Sequence, residues 1–145
     1  MEDLQDFLKG KKYKKIPFKV LKTQHLLIKG TINGVKGNFI LDTGASNSCV
    51  GFESVEYFKL HAQFSETKAA GAGATGMETQ LAKNNTIQLG RWKNEKIHLI
   101  IFNMSHVNEA LLQYKTKPVD GIIGADVLLN GKAIIDYCNH CLYLK

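Results

Sequence analysis

Near the start of the chain, Leu4, Phe7 and Leu8 stand at i, i+3, i+4, one face of a short amphipathic helix, and the lysine run that follows is expected to end it. From Phe18 the pattern changes to short runs rich in β-branched and aromatic residues: "HLLIKGTI" (25–32), "GNFILD" (37–42), "TIQLG" (86–90), "KIHLIIF" (96–102), "GIIG" (121–124), "KAIIDY" (132–137) and "CLYLK" (141–145). Asn33-Gly34 separates two such runs, and both residues tolerate the positive φ of a type I′ hairpin turn. Gly90-Arg91 and Asn139-His140 mark two further reversals. Helical segments are expected at about 53–60, 105–114 and 125–130. No strand alternates with a long helix in the βαβ manner, so the expectation is a mainly β domain, 18–145, of closed or sandwiched strands with a few short helices. A basic arm over 1–17 precedes it. No internal repeat is visible, and no linker divides the domain.

Composition sharpens this picture only slightly. With 145 residues, 44% hydrophobic and 22% charged, the chain has a globular composition and the size of one domain. The net charge of +6 leans on Lys9, Lys11, Lys12, Lys14 and Lys15, a run that reads as a solvated segment or as a lure for nucleic acid, an anionic membrane or an acidic partner. No nucleic-acid motif or aromatic ladder accompanies it, so nucleic acid is not expected as a partner. The acidic start "MEDLQDFLKG" lacks the order of a signal peptide, and no apolar run approaches the ~18 residues that cross a bilayer. Three cysteines, an odd count, agree with a reducing compartment. The expected location is cytoplasmic, with no membrane partner.

Chemistry concentrates in "FILDTGAS", Phe39 to Ser46, where an acid follows an apolar strand and precedes a Thr-Gly turn. Such a loop presents Asp42 at the end of a buried strand. Glycine at 44 permits close backbone approach, and Thr43 supplies a hydroxyl. Downstream lies "VDGIIGADVL", 119–128, an apolar-apolar-Gly segment ahead of a short helix. Together these two stretches, in this order and separation, resemble the retropepsin-like aspartic proteases over about residues 24–145. The D-T-G string alone is weakly specific, and a turn-capping aspartate is its plain structural reading. The N-G hairpin before it and I-I-G about 80 residues after it make the resemblance fairly specific.

The resemblance implies a retropepsin-like fold and an aspartic endopeptidase. Asp42 would be the catalytic acid, and Thr43, Gly44 and Ala45 the rest of its loop, with alanine at 45 as in retropepsins where pepsin-like enzymes commonly carry serine. Ile122, Ile123 and Gly124 would form the strand behind that loop. The family's chemistry needs two aspartates sharing one proton. This chain has one D-T-G; Val119-Asp120-Gly121 and Ala125-Asp126-Val127 lack the Thr-Gly. The second aspartate must therefore come from a partner, and a symmetric homodimer follows as a requirement of the mechanism. The substrate would be a peptide or protein, with no metal and no cofactor. Both termini commonly supply interface strands in the family, and Cys141 to Lys145 would do so here. A dimer of the same fold that binds peptides without cutting them is the alternative.

"GAGATG", Gly71, Ala72, Gly73, Ala74, Thr75 and Gly76, has the spacing of a dinucleotide turn, but neither an apolar strand nor an apolar-periodic helix flanks it. It reads instead as a hairpin tip, either a flap over an extended peptide or a plain surface loop. Cys138-Asn139-His140-Cys141 has C-x-x-C spacing without a second ligand pair, and a reduced turn accounts for it. The five histidines show no catalytic spacing. Ser46 and Ser48 near Cys49 have no nucleophile elbow.

Overall fold

The computed structural model describes residues 3–64, 69–71 and 74–145. In chain order the elements are helix α1 (Leu4–Gly10), strands β1 (Lys14–Pro17), β2 (Lys19–Val20), β3 (Leu26–Ile32), β4 (Val35–Leu41) and β5 (Cys49–Gly51), then β6 (Ala62–Phe64), β7 (Ala69–Gly71), β8 (Ala74–Met77), β9 (Gln80–Leu89) and β10 (Trp92–Phe102), helix α2 (Ser105–Gln113), β11 (Gly121–Ile123), helix α3 (Ala125–Asn130), β12 (Ile134–Asp136) and β13 (Cys141–Leu144). Strands dominate, as the short β-rich runs imply.

The largest sheet runs β2-β3-β4-β11-β5-β10-β9-β6, and a further pairing of β3 with β9 closes six of these strands into a barrel. Its inner face carries Ile28, Phe39, Leu41, Val50, Leu99, Ile101 and Ile123. The outer face of the same central strands is apolar as well: Ile40, Cys49, Phe102 and Ile122 pack with Met104, Val119 and Leu111 of α2. Two-sided burial explains why "FIL", "GII" and "LIIF" read as continuous apolar runs, since neither face of these strands meets water. Leu111 is fully buried and pins α2 to the barrel. Burying a side chain of that size contributes about 2 kcal/mol.

Each expected reversal is a turn. Asn33 and Gly34 both have positive φ between β3 and β4. Gly90, also at positive φ, joins β9 to β10, and His140 does so between β12 and β13. Asn33 does more than turn: its side chain donates to the Phe58 carbonyl (2.8 Å) and to Asn85 Oδ1 (3.0 Å), and accepts from the Thr86 N–H (3.0 Å). The hairpin tip is thereby fastened where the barrel closes.

Two helices, 105–114 and 125–130, fall where expected. The third does not: residues 52–54 make a 3-10 turn, followed by isolated turns that end at Lys59 in the left-handed region. Phe58 is fully buried and stacks on Phe39 with ring centroids 5.9 Å apart, and this anchor sets the local chain path in place of helical periodicity.

The lysine-rich segment runs against the C-terminus. β1 pairs antiparallel with β13, Lys14 opposite Leu144 and Pro17 opposite Cys141, while β12 pairs with the other side of β13. Ile16, Leu142 and Leu144 face the barrel core. On the opposite face Cys141 and Tyr143 are covered by Leu8 of α1, with Tyr13 and Ile134 against them. One buried side chain in each element seats this segment, Leu8 in α1 and Ile16 in β1. The C-terminal strand β13, Cys141–Leu144, is the middle strand of its own three-stranded sheet, paired on one edge with β1 and on the other with β12.

Candidate active site

Leu41 ends β4 between two neighbours, antiparallel β3 and parallel β11, so the residue after it leaves the barrel from a strand paired on both edges. That residue is Asp42. Its N–H donates to the Ile123 carbonyl (2.9 Å), its Oδ1 accepts from the Gly44 N–H (2.9 Å), and its carbonyl accepts from the Ala45 N–H (3.2 Å). The carboxylate is half-buried, whereas Thr43 and Gly44 are exposed.

The loop is fastened to the segment that enters α3. The Ala125 N–H donates to the Ala45 carbonyl at 2.7 Å. Gly124 permits this approach, since a Cβ there would stand 2.6 Å from the Ala45 oxygen and 3.0 Å from the Asn47 carbonyl. Gly121, at the start of the same segment, lies so close to β5 that a Cβ would meet the Cys49 carbonyl oxygen at 2.2 Å. Ile122, Ile123 and Gly124 thus lie directly behind the Asp42 loop, and Ile123 is paired with Leu41.

Two further residues complete the clamp. Ser48 is fully buried; its Oγ accepts from the Gly124 N–H (2.8 Å) and donates to Asp126 Oδ1 (2.7 Å), and its N–H donates to Asp126 Oδ2 (2.9 Å). Asp126 Oδ1 also accepts from the Val127 N–H (2.8 Å), an acid suited to the first turn of a helix. Motif reasoning considers Ser48 only as a nucleophile and Asp126 only as a second acid, and so finds a role for neither. The one available signal is an acid two residues past Gly124, at a helix start.

Cys49 follows Ser48 on β5. Burial, then the charges of Asp126 and Asp42, push its thiol up to about 12, so it stays neutral at physiological pH. Cys141 is buried too, and Cys138 is exposed. Alkylation needs an accessible thiolate. Iodoacetamide at about pH 8 is therefore expected to modify Cys138 alone in the native protein, and all three cysteines after denaturation, as read by peptide mass spectrometry. A native adduct on Cys49 would contradict the packing described.

The glycine-rich stretch is a hairpin in its described backbone: β7 and β8 pair antiparallel, Ala69 opposite Met77 and Gly71 opposite Ala74, with Thr75 and Gly76 in β8. Ala72 and Gly73 lie outside the described residues. The C-x-x-C stretch is the β12–β13 turn, where the side chain and then the backbone N–H of Asn139 pull the Asp136 carboxyl below its ordinary range. Among the described residues no cluster of three His, Cys, Asp or Glu side chains is arranged to hold a metal. Nor is any described helix long and apolar enough to cross a membrane.

A closed six-stranded barrel carrying a clamped Asp-Thr-Gly loop is the fold of the retropepsin-like aspartic proteases, and similar solved structures bear this out. They include a retropepsin-like aspartic protease from Rickettsia conorii (TM-score 0.62, 18% identity, 91% of each chain covered). EIAV protease complexed with the inhibitor HBY-793 is similar over 77% of this chain and 91% of its own (TM-score 0.56, 21% identity). The retroviral protease-like domain of Ddi1 from Leishmania major matches over 83% and 88% (TM-score 0.58, 19% identity). The sequence model of the aspartyl protease family matches residues 28–127, and the chain belongs to that family. No curated protein sequence matches it.

Proposed function

We propose that the chain is an aspartic endopeptidase whose catalytic dyad is Asp42 together with Asp42 of a second copy. The observation that carries this reading is the clamped loop, which holds a single half-buried carboxylate at the barrel end with Thr43 and Gly44 exposed beside it. The two other acids that the sequence offers for this role are engaged elsewhere: Asp120 accepts from the Asn38 N–H (2.9 Å), and Asp126 holds Ser48.

In the dyad one carboxylate takes a proton from water while the other, protonated, donates to the scissile carbonyl oxygen. The water oxygen bonds to the carbonyl carbon. The tetrahedral intermediate then collapses, the C–N bond breaks, and the departing nitrogen takes up a proton. The Thr43 hydroxyl would bridge the two loops, and Gly44 would offer its backbone to an extended substrate. The Gly71–Gly76 hairpin would close over that substrate and exclude water.

The test is incubation with a library of unstructured peptides from pH 4 to 8, with and without a pepstatin-class inhibitor. Inhibitor-sensitive cleavage is expected, with a rate that rises faster than linearly with protein concentration where the dimer is dilute. Peptide binding without cleavage at any pH would identify a binding dimer in place of a protease.

A further inference from the structure

Helix α2 uses two of its faces. Val107 and Leu111 pack into the apolar cluster of Ile40, Cys49, Ile122, Met104 and Val119 on the barrel. Ser105, Asn108, Glu109 and Leu112, spaced i, i+3, i+4, i+7, make a second stripe, and this one lines an open groove of about 520 Å³. The 3-10 turn Phe52–Ser54 lines the same groove. Phe52 is 42% exposed and Leu112 57%, so two large apolar side chains meet water there. The charge of the groove has one sign: Glu53, Glu109 and Asp120 line it and no lysine, arginine or histidine does, although the chain as a whole carries +6. Asp120 accepts from the Asn38 N–H, whereas Glu53 and Glu109 are exposed and, among the described residues, paired with no cation.

The groove is continuous with the side of the barrel that carries the candidate acid. Ile40 stands two residues before Asp42 and so on its face of the chain. Ile40 is paired with Ile122, and Ile122 with Cys49, and Met104 and Val119 both pack on this row and line the groove. The Asp120 N–H donates to the Asn38 carbonyl, which sets that end of the groove level with a residue four positions before Asp42, about 13 Å along the strand. We infer that this groove is a secondary docking site for a cationic, apolar segment of the substrate, a few residues or more from the bond that is cut. The inference rests on the reading of the chain as a protease. A Leu- or Phe-sized side chain would lie against Phe52 and Leu112, and a lysine or arginine beside it would meet Glu53 and Glu109. Acidic segments and nucleic acid would be repelled. Contacts so far from the reacting atoms act on ground state and transition state alike, and therefore lower KM without raising kcat.

Two fluorescein-labelled peptides with the same unstructured centre test this, one ending in Lys-Leu-Lys-Leu and the other in Gln-Leu-Gln-Leu. Fluorescence anisotropy against the full chain carrying Asp42→Asn reads docking with cleavage removed. The lysine peptide is expected to bind at least ~10-fold more tightly at low salt, and the charge reversal Glu53→Lys with Glu109→Lys should abolish that preference. Leu112→Ser should weaken both peptides, and Glu95→Lys, a charge reversal outside the groove, should leave both within about 2-fold. Glu53, Glu109 and Leu112 are exposed, so their replacement leaves the chain folded, which circular dichroism checks. In chains that retain Asp42, the double reversal should raise KM for the lysine peptide about 10-fold with kcat unchanged. Equal affinity for the two peptides, or a preference that survives the double reversal, overturns the groove. Cleavage of both peptides with equal KM refutes the groove and leaves the protease standing. Groove-dependent binding without cleavage by any chain that retains Asp42 refutes the protease, and with it the assignment of the bound segment to a substrate.

Discussion

Asp42→Asn is expected to lower peptide cleavage by at least ~10³-fold while leaving the fold and the dimer as they are. Asparagine keeps the Oδ1 acceptor for the Gly44 N–H, the contact that shapes the loop at 2.9 Å, and changes only the ability to take and give a proton. A second result tells a shared dyad from a lone carboxylate. Adding a tenfold excess of Asp42→Asn chain to a fixed amount of unaltered chain, well above the dimer's dissociation constant, places nearly every active subunit opposite an inactive one. Activity should then fall about tenfold. A catalyst that works as a monomer would lose nothing on mixing. Retained cleavage in pure Asp42→Asn would remove the proposed mechanism altogether.

The parts of this site that the sequence discloses are local strings. Asp42-Thr43-Gly44 and Ile122-Ile123-Gly124 are each contiguous, and each needs its residue types for reasons visible in the string: a carboxylate, a hydroxyl, and glycine where backbones nearly touch. The barrel strands are legible for a related reason, since two-sided burial writes long apolar runs. What escapes notice is set by pairs far apart in the chain. Ser48 and Asp126 are 78 residues apart, and neither stands in a pattern that announces the other. β1 is hidden because Lys14-Lys15-Ile16-Pro17 buries a single side chain and otherwise looks like charge and a breaker. The closure of β3 on β9 depends on Asn33, Asn85 and Thr86, polar residues whose turn and strand roles conceal their mutual hydrogen bonds.

These distant pairs also decide how rigidly the catalytic string is held, which makes Asp126 the most informative residue outside it. Asp126→Ala removes the acceptor for the Ser48 N–H, the Ser48 hydroxyl and the Val127 N–H at once. Ser48 is fully buried, so its N–H is left without a partner and without water. Leaving such groups unsatisfied costs about 1–3 kcal/mol each, partly recovered by relaxation, and an overall loss of about 3 kcal/mol is expected in chemical denaturation. Asp126→Asn retains one oxygen that still meets the Ser48 hydroxyl and the Val127 N–H, so about 1 kcal/mol should be lost. The kinetic signature separates positioning from simple loss of folded protein. At a temperature where both variants are fully folded, Asp126→Ala should lower kcat about 10-fold or more through a misplaced Asp42, with KM changed far less, and Asp126→Asn should recover most of it. A folded Asp126→Ala protein with unaltered kcat would show that β11 and Gly124 alone hold the loop.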